Sequence, residues 1–124
     1  MASELRVNTL KDAAGNNSIA TSFVAGGSAK ARHASNDAGT TLYGSLNVSS
    51  LGDTATGRQT ITFTAAMSDL NYSAVSGSGS QADGSARFML INSLATTSYI
   101  VNAYSAAVSL ADNSSSSAVY GDLA

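Results

Sequence analysis

The sequence predicts an all-β protein: an N-terminal hairpin or extended stem, then an antiparallel β-sandwich knob of jelly-roll-like form. Three observations carry the prediction. Thr60, Thr62 and Thr64 alternate with Ile61 and Phe63, the two-residue period of a strand with one apolar face. Short apolar runs recur through residues 46–120, divided by Gly, Ser and Asn, which is the punctuation of a many-stranded antiparallel sandwich. At 124 residues the chain holds one domain plus a short appendage, with no repeat at solenoid periods. The stem is placed in residues 1–43 and the knob in residues 44–124.

Taken in order, Leu5-Arg6-Val7-Asn8-Thr9-Leu10 alternates apolar with polar and reads as a strand. Gly15 and Asn16 give the following loop its turn, and Ser18-Ile19-Ala20-Thr21-Ser22-Phe23-Val24 returns as the second strand of a hairpin. A helix over residues 10–14 competes, but Gly15 breaks it too soon for it to stand alone. Residues 25–44, with Gly26-Gly27 and Gly39, read as extended, irregular chain or short strands linking the hairpin to the knob; a helix over residues 28–35 is the alternative.

In the knob, Leu46-Asn47-Val48-Ser49-Ser50-Leu51 is a strand, and residues 52–57 form a turn. Strands follow at residues 59–64 and 71–75. Ser76-Gly77-Ser78-Gly79-Ser80-Gln81-Ala82-Asp83-Gly84 is low in complexity and reads as a long exposed loop, a candidate contact tip. Three more strands are expected at residues 86–92, 98–104 and 118–120, with Asp112-Asn113-Ser114-Ser115-Ser116-Ser117 separating the last two. Phe88-Met89-Leu90-Ile91 lacks alternation, which predicts a central strand covered on both faces by the opposite sheet or a neighbouring subunit.

Composition narrows the function classes. Only 11% of residues are charged, with net charge −2, against about a quarter in ordinary soluble domains. Six Lys and Arg residues lie scattered, which argues against nucleic acid as a partner. Without cysteine there is no thiolate site, and no apolar run approaches the roughly 18 residues of a membrane span. The opening residues lack the apolar centre of a secretory signal, which predicts a protein made in the cytoplasm and carried out by something else. Large apolar side chains are few, so oligomerisation is the expected source of added stability.

No residue is assigned a catalytic, cofactor-binding or metal role, no cofactor is expected, and the chain is read as a non-enzyme. His33 is the single histidine, read as an exposed or interface side chain in the linker; a Ser–His–Asp arrangement could form only in space. The carboxylates Glu4, Asp12, Asp37, Asp53, Asp69, Asp83, Asp112 and Asp122 stand singly, mostly in turns where Asp holds its own backbone. Neither a glycosidase pair nor a calcium loop is visible among them. Tyr43, Tyr72, Tyr99, Tyr104 and Tyr120 could stack on sugars, but strand positions favour the core or a subunit interface.

Several stretches together resemble bacteriophage tail-fibre and other virion fibre proteins of the marine phage type. These are Leu5-Arg6-Val7-Asn8-Thr9-Leu10-Lys11-Asp12-Ala13-Ala14-Gly15-Asn16, Val24-Ala25-Gly26-Gly27-Ser28-Ala29-Lys30-Ala31, and Ser45-Leu46-Asn47-Val48-Ser49-Ser50 onward. Ala66-Met67-Ser68-Asp69-Leu70-Asn71-Tyr72 between two strands and the ending Val119-Tyr120-Gly121-Asp122-Leu123-Ala124 belong to the same set. The chain departs from the pattern at Arg32-His33-Ala34-Ser35-Asn36, where many such sequences carry tryptophan and further aromatics. The resemblance implies a homotrimeric virion structural protein, joined to other tail or capsid proteins. Its expected work is host attachment, through a surface glycan or protein, or fibre assembly. A capsid decoration or head-fibre protein and a free carbohydrate-binding module are the alternatives.

Overall fold

The computed structural model describes residues 3, 6–78 and 87–124. Among these described residues are antiparallel sheets and a single short helix. Strands β1 (Thr9–Lys11) and β2 (Ser18–Ala20) pair as the expected hairpin. The chain then departs from expectation: Thr21–Gly27 forms helix α1, where the second strand was predicted to continue. Thr21 fastens the helix start, its amide donating to the Asn8 carbonyl at 3.0 Å.

The remaining strands are β3 (Ala31–Ser35), β4 (Leu42–Leu46), β5 (Val48–Ala55), β6 (Arg58–Phe63), β7 (Ser73–Ser78), β8 (Arg87–Ala95), β9 (Ser98–Ser105) and β10 (Ser115–Tyr120). They form two four-stranded sheets, ordered β4-β3-β10-β7 and β5-β6-β9-β8. Ala31 and Val119 of the first sheet meet Ile61, Phe63, Tyr99 and Val101 of the second in one core. Alternation explains the facing: Gln59, Ile61 and Phe63 point inward from β6, while Arg58, Thr60 and Thr62 are half-exposed.

Residues 31–35, in the stretch read as irregular chain or short strands, form the inner strand β3 rather than a helix. Three sequence expectations are corrected. The predicted turn at 52–57 shrinks to Thr56 and Gly57, because β5 runs through Ala55. The separator at 112–117 supplies half of β10, whose Ser115 and Ser117 are buried. Strand β8 is an edge strand of its sheet, with Phe88 57% and Leu90 55% exposed, so within one chain it is not doubly covered.

The loop prediction at 76–84 splits. Ser76, Gly77 and Ser78 end strand β7, and residues 79–84 lie outside the described residues, as do Glu4 and the Leu5 that opened the first predicted strand.

The segment 66–72 plugs one end of the core. Met67 and Tyr72 are buried, and Asp69 accepts hydrogen bonds from the amide and the side chain of Asn71, closing the turn between them. The Tyr72 ring meets Phe63 edge-on at 5.9 Å, and its hydroxyl reaches the Ala95 carbonyl at 2.9 Å. The chain end adds a rung, Met67 bridging Leu123.

The β5–β6 turn has a strict requirement. Gly57 has φ +68°, and a Cβ there would sit 2.6 Å from the Ala111 nitrogen and 2.7 Å from the Ala103 oxygen. Left-handed backbone and overpacking together make Gly57→Ala destabilising by roughly 2–3 kcal/mol. Gly52→Ala, where nothing lies within 4 Å of the new methyl, is the control and should be near neutral. Equal denaturation midpoints for the two variants would refute this account of the turn.

Candidate functional site

Chemistry-bearing side chains converge between the two sheets. His33 is 2% exposed, with Nδ1 2.7 Å from Ser117 Oγ and 3.2 Å from the Tyr99 hydroxyl. Its Nε2 lies 2.9 Å from Ser115 Oγ. The sequence reading of His33 as an exposed or interface side chain is therefore wrong: alternation on β3 turns Ala31, His33 and Ser35 inward. No signal short of the strand itself could have shown this, because β3 contains no large apolar residue.

Counting donors fixes the protons of this cluster. Ser115 and Ser35 both donate to Gln59 Oε1, at 2.8 and 2.7 Å. Having given its one proton away, Ser115 must accept from His33 Nε2–H, so Nδ1 is the acceptor. Ser117 then donates to Nδ1, and Tyr99 donates to Ser117. Gln59 closes the line by donating to the carbonyls of Asn36 and Asn113, at 3.1 and 3.2 Å. The cluster is a directed hydrogen-bond chain that accommodates neutral imidazole.

Burial pushes the His33 pKa down to about 4. Burial also raises Tyr99, to about 12, against its hydrogen bond with Ser117, which lowers it. Two serines stand beside a histidine, yet the third neighbour of the ring is a tyrosine hydroxyl rather than the carboxylate of a hydrolytic triad. Ser115 is 1% exposed and Ser117 8%, so both hydroxyls belong to the interior.

The carboxylates serve turns. Asp12 accepts from the Asn16 amide and the Asn17 side chain, a set of bonds that lowers its pKa. Asp112 accepts from the Gly57 amide at 2.6 Å, and Asp37 from the Ala38 amide. Among the described residues no group of three or more His, Cys, Asp or Glu is placed to hold a metal, and no helix is long and apolar enough to cross a membrane. The tyrosines divide: Tyr72 and Tyr99 are core, Tyr104 is half-buried, and Tyr43 and Tyr120 are exposed.

Among the described residues, exposed apolar side chains gather on two surfaces, besides Tyr43, Leu46, Leu70, Val75 and Tyr120 elsewhere. Residues 6–27, here called the arm, contain no buried side chain, and Val7, Leu10, Ile19, Phe23 and Val24 are all exposed. On the outer face of the second sheet, Phe88, Leu90, Tyr104 and Val108 line an open slot of about 350 Å³ whose accessible lining is wholly apolar. Sequence reading expected an arm and a covered β8, but it could not show that both are bare on one chain. Comparison with protein-family models, curated proteins and solved structures finds no match to this chain.

Proposed function

We propose that this chain is a non-enzymatic structural protein of the virion-fibre type. It works as a homotrimer, with the arm toward the particle and the sandwich, a jelly-roll-like knob in this reading, facing outward. Its role is attachment to a host surface glycan or protein, or assembly with other tail or capsid proteins. Three weak contacts on one particle multiply avidity without a strong single site.

The observation that carries the reading is the bare arm. Two three-residue strands and a seven-residue helix containing two glycines cannot hold themselves folded in water. Such an element gains its stability in an assembly. The low charge of the chain fits the same role, since a surface of Ser, Thr, Asn and Gly packs against copies of itself with little desolvation of charge. The interior placement of the serine–histidine cluster supports a stabilising rather than a catalytic use of those groups.

Light scattering on the full chain tests the proposal. The expected native mass is three times 12.4 kDa at micromolar concentration. Antibody labelling of purified virions is expected to mark a fibre. A stable monomer that labels no particle would overturn the reading.

A further inference from the structure

We infer that the hairpin β3–β4 is an acid-released flap: protonation of His33 detaches it, together with the root of the arm, from β10 and the second sheet, while the rest of the sandwich stays closed. The inference stands on contacts within one chain and does not depend on the oligomeric reading above.

Anchorage is uneven across the first sheet. β7 lies beside β8 and follows directly on the plug, where Tyr72 packs on Phe63 and donates to the carbonyls of Ala95 and Ser98. β10 carries Val119 into the core. The chain beyond it is bonded to the plug: the Ser68 amide donates to the Asp122 carbonyl at 2.8 Å, and the Ala124 amide to that of Ala66 at 3.0 Å. β4, at the opposite edge, buries no side chain. β3 gives the apolar core only Ala31, and its other inward side chains are His33 and Ser35. One methyl group offers little apolar area, so polar bonds must hold this hairpin to its neighbours.

Those bonds converge on His33. Its ring accepts from Ser117 and donates to Ser115, both on β10, with the Tyr99 hydroxyl of β9 3.2 Å from Nδ1. Ser35 donates to Gln59 of β6, which donates back to the Asn36 carbonyl at the end of β3. A second ring proton meets two hydroxyls already committed as donors. Among the described residues, Tyr99 is the titratable group in contact with the ring. β6 and β10 present Gln59 and serines, and β4 pairs Ser45 with His33, all uncharged. Asp53 of β5 pairs with Gln59 but is exposed, as is Asp37 in the β3–β4 loop, and Arg32 lies on the outer face of β3. A charged ring therefore finds no counter-ion inside and is stabilised by reaching water. Since β3 is one strand from the edge, lifting β3–β4 exposes the ring and leaves β10 paired with β7.

The arm is rooted in the same place. Residues 28–30 join α1 to β3, and the Lys30 amide donates to the Val119 carbonyl of β10 at 2.7 Å. Lifting β3 breaks this bond, so acid loosens the joint between arm and knob.

Amide hydrogen exchange on the full wild-type chain tests the inference. The closed ring titrates at about 4 and an open one at 6.5, so the open form takes up a proton that the closed form refuses. Opening grows as the pH falls below 6.5 and stops growing below 4. At pH 5 ordinary carboxylates are still ionised, so a change between pH 7.5 and 5 belongs to the histidine. Protection factors over residues 30–46 are expected to fall roughly 30-fold across that range, with a one-proton dependence, while those of β6 and β9 hold. His33→Gln is expected to abolish the fall.

An equal fall in β6 and β9 would mean that the proton unfolds the whole chain, and would overturn the inference. So would unchanged protection over residues 30–46, or the same fall in His33→Gln. Should that variant fail to fold, the wild-type profile decides. A one-proton fall confined to residues 30–46 and the β10 amides facing β3 supports the flap, and any other pattern overturns it.

Discussion

Replacing Phe63 with alanine is expected to destabilise the fold by roughly 3–5 kcal/mol, the range for deleting a buried aromatic ring. Phe63 is 6% exposed and sits at the junction of three structural features. Its ring centre lies 5.4 Å from Tyr99 of the neighbouring strand and 5.9 Å from Tyr72 of the plug segment. Val48 of β5 pairs with it across the hairpin. With no tryptophan and three phenylalanines in the chain, no other large ring is free to fill the cavity. Urea denaturation of wild type and variant gives the value; a loss below about 1 kcal/mol would show that Phe63 does not face the core.

The second large effect is a loss of stability in acid centred on His33. In the folded chain its pKa falls to about 4, from 6.5 for a free side chain. The unfolded chain therefore binds a proton that the folded chain refuses. Stability is full above pH 6.5, falls as the pH drops toward 4, and loses nothing more to this group below that. The total is about 3 kcal/mol, from a shift of about 2.5 units at 1.36 kcal/mol each.

The hydrogen-bond chain explains why the charge is resisted beyond burial alone. A proton on Nδ1 would turn Ser117 from donor to acceptor there, leaving either the Ser117 or the Tyr99 hydroxyl proton without the partner it has beside neutral imidazole. His33→Gln removes the titration. Denaturation midpoints compared between pH 7.5 and 4 should fall more steeply for wild type than for the variant, with the carboxylates common to both. Parallel curves would refute the assignment.

How much of this was legible in the sequence depends on what each strand buries. β6 alternates, so Ile61 and Phe63 announced their strand and its apolar face, whereas in β9 the run Tyr99-Ile100-Val101 announced a strand without showing which face is inner. β3 and the first half of β10 bury alanine, serine and histidine instead. Their polarity looks like linker until the partner hydroxyls across the sheets are known. Residues 115–117 are three serines in a row, and only pairing with β3 and β7 distinguishes them from a loop. Phe88 and Leu90 failed in the opposite sense, since their hydrophobicity called for cover that one chain does not supply. The hairpin was readable from its turn residues, whereas α1 was not, because Thr21-Ser22-Phe23-Val24 carries more strand than helix propensity.

The hydroxyl-lined interior also has a thermal consequence. Unfolding here exposes Ser35, Ser114, Ser115, Ser117, Gln59 and Asn113 along with the apolar core. Hydration of apolar surface raises the heat capacity, whereas hydration of polar surface lowers it. A protein that hides this much polar area therefore unfolds with a small heat-capacity increment for its length. Its stability curve is broad and shallow, so the fold keeps most of its strength on cooling, where proteins held mainly by apolar burial begin to weaken.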